Sequence, residues 1–314
     1  QVLDRRSEMA QMTGFDDDEE ETVINLVVRP GMKQGLFGNA FAGYGNKDRY
    51  EGDVMLNYMK DKNQYTLLGG INNTNNAGFS DLGSSLFSGM GGRGMRGMIG
   101  GRSGITTSGM GGINFSRQFS EKFKLSGNAR YGSTDNDIIS KTHTQNLLSG
   151  GDTFENENDA TNNKSQNFNM DFRLEWNPDT LTRIIFRPNA GIYDNRRTET
   201  GDFLTRSENN DTINSGNSEY FSEGDGKNIG ARLDASRQLG KEGRVLSIQL
   251  RGGINDSENK GSNNSRTFYH RTSNDSIIDQ QFTNISDSKN WQGYVSYVEP
   301  IGRNNFIQLA YRYR

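Results

Sequence analysis

The stretch Gln166-Asn167-Phe168-Asn169-Met170-Asp171-Phe172-Arg173-Leu174-Glu175-Trp176 decides the fold class. Phe168, Met170, Phe172, Leu174 and Trp176 alternate with Asn169, Asp171, Arg173 and Glu175. A period of two puts one set on each face of a β-strand, whereas a helix would scatter both sets around its circumference. The segment is long enough to cross a bilayer as a tilted strand, which takes about 9–11 residues.

The same alternation recurs on either side. In 122–131, Phe123, Leu125, Ala129 and Tyr131 oppose Lys124, Ser126, Asn128 and Arg130. In 243–252, Leu246, Ile248 and Leu250 oppose Ser247, Gln249 and Arg251, and at the end Ile307, Leu309, Tyr311 and Tyr313 oppose Gln308 and Arg312. Eleven such segments are expected, near 35–45, 49–59, 64–72, 104–118, 122–132, 166–177, 181–193, 227–238, 243–254, 289–299 and 304–314. Short polar turns such as Lys60-Asp61-Lys62-Asn63 and Asn177-Pro178-Asp179-Thr180 alternate with long connections near 73–103, 133–165, 194–226 and 255–288. Unstructured loops of about 30 residues are uncommon inside a compact soluble domain.

Short turns at one rim and long loops at the other describe an antiparallel transmembrane β-barrel, with tight turns periplasmic and loops extracellular. A soluble β-sandwich or β-solenoid would also alternate. Against these, Tyr131, Trp176, Phe186, Tyr311 and Tyr313 sit near segment ends, where aromatic girdles meet the membrane interface. Eleven is an odd count for a bacterial barrel, so an incomplete barrel is expected, with open edges near 35–45 and 304–314 and no closure by the isolated chain.

Composition agrees with a wall that is wet on one side. The chain is 31% hydrophobic with a mean hydropathy of -0.86, yet 10% aromatic. Such polarity alone suggests disorder, but the aromatics cluster in short runs, which a disordered chain lacks. The net charge of -3 and the absence of a basic cluster argue against a nucleic-acid partner. No cysteine is present, and His143 and His270 are the only histidines, so neither a thiolate nor a histidine metal centre is expected. No cofactor and no catalysis are expected, because no nucleophile is placed beside a base.

Candidate residues divide by face. Arg130, Asp171, Arg173, Glu175, Arg232, Asp234, Arg251 and Arg312 are expected to face a lumen, where they would pair with one another or with a plug if it is filled and set ion preference if it is an open channel. Phe168, Phe172, Leu174, Trp176, Tyr311 and Tyr313 are expected to face outer-membrane lipid or form its girdle. The acidic run Asp16 to Glu21 and the loop carboxylates Asp152, Glu155, Glu157 and Asp159 read as solvated charge, because calcium-loop spacing is missing. The glycine- and methionine-rich stretch Ser88 to Gly104 reads as a flexible loop, since nothing frames it as a phosphate cradle. The polar long loops, with few apolar anchors, are expected to contact cargo or a partner and to favour polar ligands such as sugars.

Several motifs carry a family resemblance. They are Thr22-Val23-Ile24-Asn25-Leu26 before Pro30, Phe41-Ala42-Gly43-Tyr44-Gly45 with Asp48-Arg49-Tyr50, and Asn72-Asn73-Thr74-Asn75-Asn76 with Gly78-Phe79-Ser80-Asp81. Gly104-Ile105-Thr106-Thr107, Asn162-Asn163-Lys164-Ser165-Gln166-Asn167 and Glu175-Trp176-Asn177-Pro178-Asp179 with Phe186-Arg187-Pro188 continue it. On these the chain resembles the TonB-dependent receptor-like outer-membrane proteins of Bacteroidetes. The resemblance implies that 1–31 is the tail of a plug domain and its linker and that 32–314 is the first part of the barrel. It also implies a signal peptide, a TonB box and most of a plug upstream. The function implied is uptake of a small-molecule nutrient (an iron chelate, a glycan or a peptide) powered through the TonB energy-coupling complex. A porin- or adhesin-like barrel and a soluble secreted binding module are the alternatives.

Overall fold

The structure, a computed structural model, describes residues 34–75, 104–240, 243–301 and 305–314, together with the backbone of 2–6 and 20–24. β1 (Val2–Arg6) and β2 (Glu20–Ile24) pair with each other as a two-stranded ribbon. The other eleven strands form one antiparallel sheet in chain order. They are β3 (Gln34–Tyr44), β4 (Tyr50–Lys60), β5 (Asn63–Asn72), β6 (Ile105–Ser120), β7 (Phe123–Asn146), β8 (Thr153–Trp176), β9 (Thr182–Ser207), β10 (Thr212–Gln238), β11 (Val245–Tyr269), β12 (Asn274–Pro300) and β13 (Phe306–Tyr313). Each of the eleven expected segments lies in its own strand, and the fold is all-β and antiparallel. The sheet is open: among the described residues β3 pairs only with β4, and β13 only with β12.

The long connections differ from expectation. Segments 133–165, 194–226 and 255–288 are not irregular loops but continuations of the strands, which run 24 to 27 residues in β7 through β12. They still end at the rim opposite the tight turns. Alternation fades there because both faces meet water, so no apolar period marks the strand, but the ladder persists. Cross-strand ion pairs support it, among them Lys164 with Asp135 at 3.1 Å, Lys227 with Asp256 at 3.0 Å and Lys260 with Glu223 at 3.0 Å. Of the 73–103 connection, residues 76–103 fall outside the described residues, and with them all of the stretch Ser88 to Gly104 except Gly104 itself.

At the other rim the turns are tight and locally bonded. Between β8 and β9, the Asn177 amide donates to the Lys122 carbonyl at 2.8 Å and Lys122 Nζ to the Pro178 carbonyl at 2.7 Å. Asp179 Oδ1 accepts the Leu181 amide at 2.9 Å, and that bond holds the Asp179 carboxyl below its ordinary value of 3.8. A lowered pKa stabilises the turn above that ordinary value and ceases to do so as pH falls through the lowered one. The Leu181 amide is therefore expected to keep its hydrogen-exchange protection at neutral pH and lose it in strong acid, whereas a flat profile would exclude the bond.

Burial is inverted relative to a soluble sheet. Residues paired across an antiparallel ladder share a face, so the register carries the two faces of Gln166–Trp176 across all eleven strands. On one face lie Leu36, Leu56, Leu67, Ile113, Leu125, Leu174, Phe186, Leu233, Ile248, Val295 and Tyr311. Many of them are open to the surroundings, with Leu36 at 72% and Tyr311 at 69% exposure. The opposite face holds the buried side chains, and most of these are polar: Asn57, Thr66, Asn128, Asp234, Ser247 and Ser296 among them, with Leu68, Ile185 and Val298 as the buried apolar ones. Among the described residues no second layer packs on the eleven-stranded sheet, and the shielded side chains gather on its polar face.

The apolar face also ends within one row: Gln166 is in register with Asp194, and Asp256 lies one row nearer the tight turns, level with Lys227 and Ile192. Its apolar run is Ile184, Phe186, Pro188, Ala190 and Ile192 on β9, then Asp194. On β11 it is Leu246, Ile248, Leu250, Gly252 and Ile254, then Asp256. On β8 it runs from Trp176 to Phe168, then Gln166. About 9–11 residues per strand is the height of a hydrocarbon layer crossed at a tilt.

Candidate functional site

The polar face gathers an arginine row. Arg187 is in register with Arg232, and Arg232 with Arg251, while Arg173 occupies the equivalent level on β8. Like charges on adjacent strands repel, and Asp234, one level nearer the tight turns, offsets part of that repulsion. It is 2% exposed and accepts from Arg187 Nη1 at 2.8 Å, Arg232 Nε at 2.9 Å and Gln249 Nε2 at 2.8 Å. Arg173 Nε donates to Glu175 Oε1 at 2.9 Å, and Arg130 lies 3.8 Å from Asp171.

The eight expected lumen residues therefore all lie on the polar face, and six of them meet in pairs or triads. The other two sit nearer the β13 edge. The Arg312 guanidinium stacks over the Tyr294 ring at 5.3 Å, and Arg251 borders a hollow with Gln292 and Arg314 beyond the end of β13. The six expected lipid or girdle residues share the other face. Trp176 is 49% exposed and Tyr313 stacks on Trp291 at 4.5 Å, while Phe172 tilts against Phe115.

Sequence reasoning missed Arg187, the third member of the Arg187–Asp234–Arg232 triad, and Gln249, which donates to the same carboxylate. Arg187 stands out of phase with Phe186 in an alternating segment, which marks its face. Its partner Asp234 lies 47 residues away, and no local signal specifies that distance.

Shielded atoms on this face with no hydrogen-bond partner among the described residues include Arg130 Nη1, Asn57 Oδ1, Asn72 Oδ1 and Ser247 Oγ. The histidines lie in the extended hairpins: His143 Nδ1 is 2.7 Å from Asn156 Oδ1, and His270 Nε2 is 3.0 Å from Ser215 Oγ. The Ser215–His270 pair is exposed at a hairpin end, and among the described residues no carboxylate orients its ring. Among the described residues no group of three His, Asp or Glu side chains is placed to hold a metal ion.

No family model and no curated protein matches the chain. Among solved structures, the ferric yersiniabactin uptake receptor FyuA from Yersinia pestis aligns over 86% of this chain and 45% of its own, at 12% identity and a TM-score of 0.23. The chain spans less than half the length of that receptor. A superposition so loose assigns no residue and no ligand to this chain.

Proposed function

We propose that this chain is part of the wall of an outer-membrane receptor barrel that takes up a small-molecule nutrient, with energy delivered through a TonB-type complex. The observation that carries the reading is the inverted burial: an open apolar belt about one hydrocarbon layer tall on one face of the sheet, and shielded amides, hydroxyls and ion pairs on the other. In water such a belt would be a large aggregation-prone patch, whereas against lipid it is the stable arrangement. The two free edges call for further strands to complete the wall, because unpaired backbone groups facing lipid cost several kcal/mol each.

A receptor is favoured over an open porin by the arginine row. Asp234 serves two guanidinium groups at once, which leaves net positive charge on a face with orphaned polar atoms, and a polar plug would supply the counterpart. The proposed role needs no covalent chemistry from the chain. The test is the full-length protein: it should resist carbonate extraction from outer-membrane fractions, leave them only with detergent, and run faster on gels unheated than boiled. Recovery in a soluble fraction would sink the membrane reading. A steady open-channel conductance in planar bilayers would replace the receptor with a porin.

A further inference from the structure

Beyond the membrane belt, the polar faces of β9 to β12 continue as a wall whose composition changes abruptly. The rows from Tyr193 to Phe203 on β9 hold Tyr193, Asn195, Arg197, Glu199, Gly201 and Phe203 on that face. In register with them stand Gly226, Gly224, Ser222, Tyr220, Ser218 and Gly216 on β10. Ser257, Asn259, Gly261, Asn263, Ser265 and Thr267 follow on β11, and Ser286, Asn284, Phe282, Gln280, Ile278 and Ser276 on β12. Arg197 and Glu199 are the charged residues in this field, and they bond to each other. The reverse face of the same rows is strongly charged, with Asp194, Arg196, Asp202, Glu223, Asp225, Glu258, Lys260, Arg266 and Asp287 among its residues. Solvation alone would give both faces similar chemistry, so the neutrality of one face requires its own explanation.

Four aromatic rings lie in the neutral field, and three of them are seated on glycines. A Cβ at Gly226 would stand 2.5 Å from the Tyr193 ring, one at Gly216 2.5 Å from Phe203, and one at Gly261 2.7 Å from Phe282. Each ring therefore occupies the space that a side chain would fill, lying over the sheet rather than standing out from it. Tyr220 stacks on Phe282 with centroids 6.1 Å apart and planes 22° apart. Tyr193 remains 39% exposed and the other three are half-buried, so each ring keeps an accessible surface. Around them Asn195, Asn259, Asn263 and Asn284 present amides that both donate and accept.

We infer that this field binds a neutral oligosaccharide, the rings stacking on the C–H faces of successive sugars and the asparagines bonding their hydroxyls. The inference rests on the receptor reading and names its substrate class. An anionic iron chelate would need net positive charge, which lies lower, in the arginine row. An extended peptide would carry a charge at each end, whereas within β9 to β12 the two charges of this field already bond to each other, and Glu157 and Asp159, in register with Phe203 and Gly201, border it only on the β8 side.

The test uses full-length protein in detergent, with maltoheptaose, cellohexaose, xylohexaose and mannohexaose as probes and polygalacturonate and a ferric trihydroxamate as charged comparators. Calorimetry should show binding of at least one neutral oligosaccharide and none of the comparators. Tyr220→Ala with Phe282→Ala should weaken it tenfold or more. Tyr220→Phe, which keeps the ring, should stay within threefold. Unchanged heat-modifiable mobility in each variant separates lost binding from lost folding. Failure of wild-type protein to bind any neutral probe, or binding indifferent to the double substitution, overturns the inference. Because localisation is measured on the same samples, a correctly inserted protein that ignores sugars refutes the glycan field alone, whereas a soluble protein refutes the receptor reading beneath it.

Discussion

Leu250→Arg is expected to destabilise the inserted full-length protein by about 2–4 kcal/mol, the range for a guanidinium at the middle of a lipid-facing barrel wall. Leu250 is 49% exposed at the centre of the β11 belt, two residues from Ile248 and four from both Leu246 and Ile254. A cation there must leave the hydrocarbon or draw water into it. The neighbouring change Gln249→Arg places the same group on the polar face, beside Asp234, and is expected to be tolerated far better. Urea titration of protein refolded into liposomes, followed by heat-modifiable mobility, measures both. Equal midpoints for Leu250→Arg and wild type would remove the belt from contact with lipid.

The second large effect is expected from Asp234→Asn. It leaves the Arg187 and Arg232 guanidinium groups facing each other across adjacent strands with no carboxylate between them. Breaking a buried ion pair by removing one partner typically costs about 3–5 kcal/mol. Because the Arg232 side chain retains 38% exposure and Arg187 24%, water screens part of the repulsion. The low end, about 3 kcal/mol, is therefore expected. Adding Arg187→Gln to Asp234→Asn should restore part of the loss, which a double-mutant cycle in the same liposome assay reads as a coupling energy. Additive losses would mean that the triad is a chance juxtaposition on a face stabilised by other contacts.

Both expectations turn on which face a residue occupies, and that much was legible in the chain. Phe172 and Arg173 are adjacent, so covalent geometry alone sends their side chains to opposite sides of a strand. Pro188 is consistent with the same reading: on β9 it stands within the belt, in phase with Phe186 and Ala190. The hairpin extensions were not legible. Asn156 to Asn163, Thr198 to Asp202 and Asn259 to Ser265 look like loop composition, since a strand wet on both faces carries no apolar period. The rings of Tyr193, Phe203 and Phe282 were equally hidden, because each depends on a glycine in the next strand, 33, 13 and 21 residues away by numbering (226 − 193, 216 − 203 and 282 − 261).

The sequence by itself determined the eleven strands of the sheet, their antiparallel order through tight turns, the face each belt residue occupies and the height of the apolar belt. All four follow from local geometry: a period of two, turn residues and run length. Only the tertiary structure decided which charges meet around Asp234, how far the hairpins continue and where the aromatic rings lie. These depend on register, which is fixed by the sum of many pairings between distant residues, and a one-residue slip would exchange the two faces without altering any local pattern.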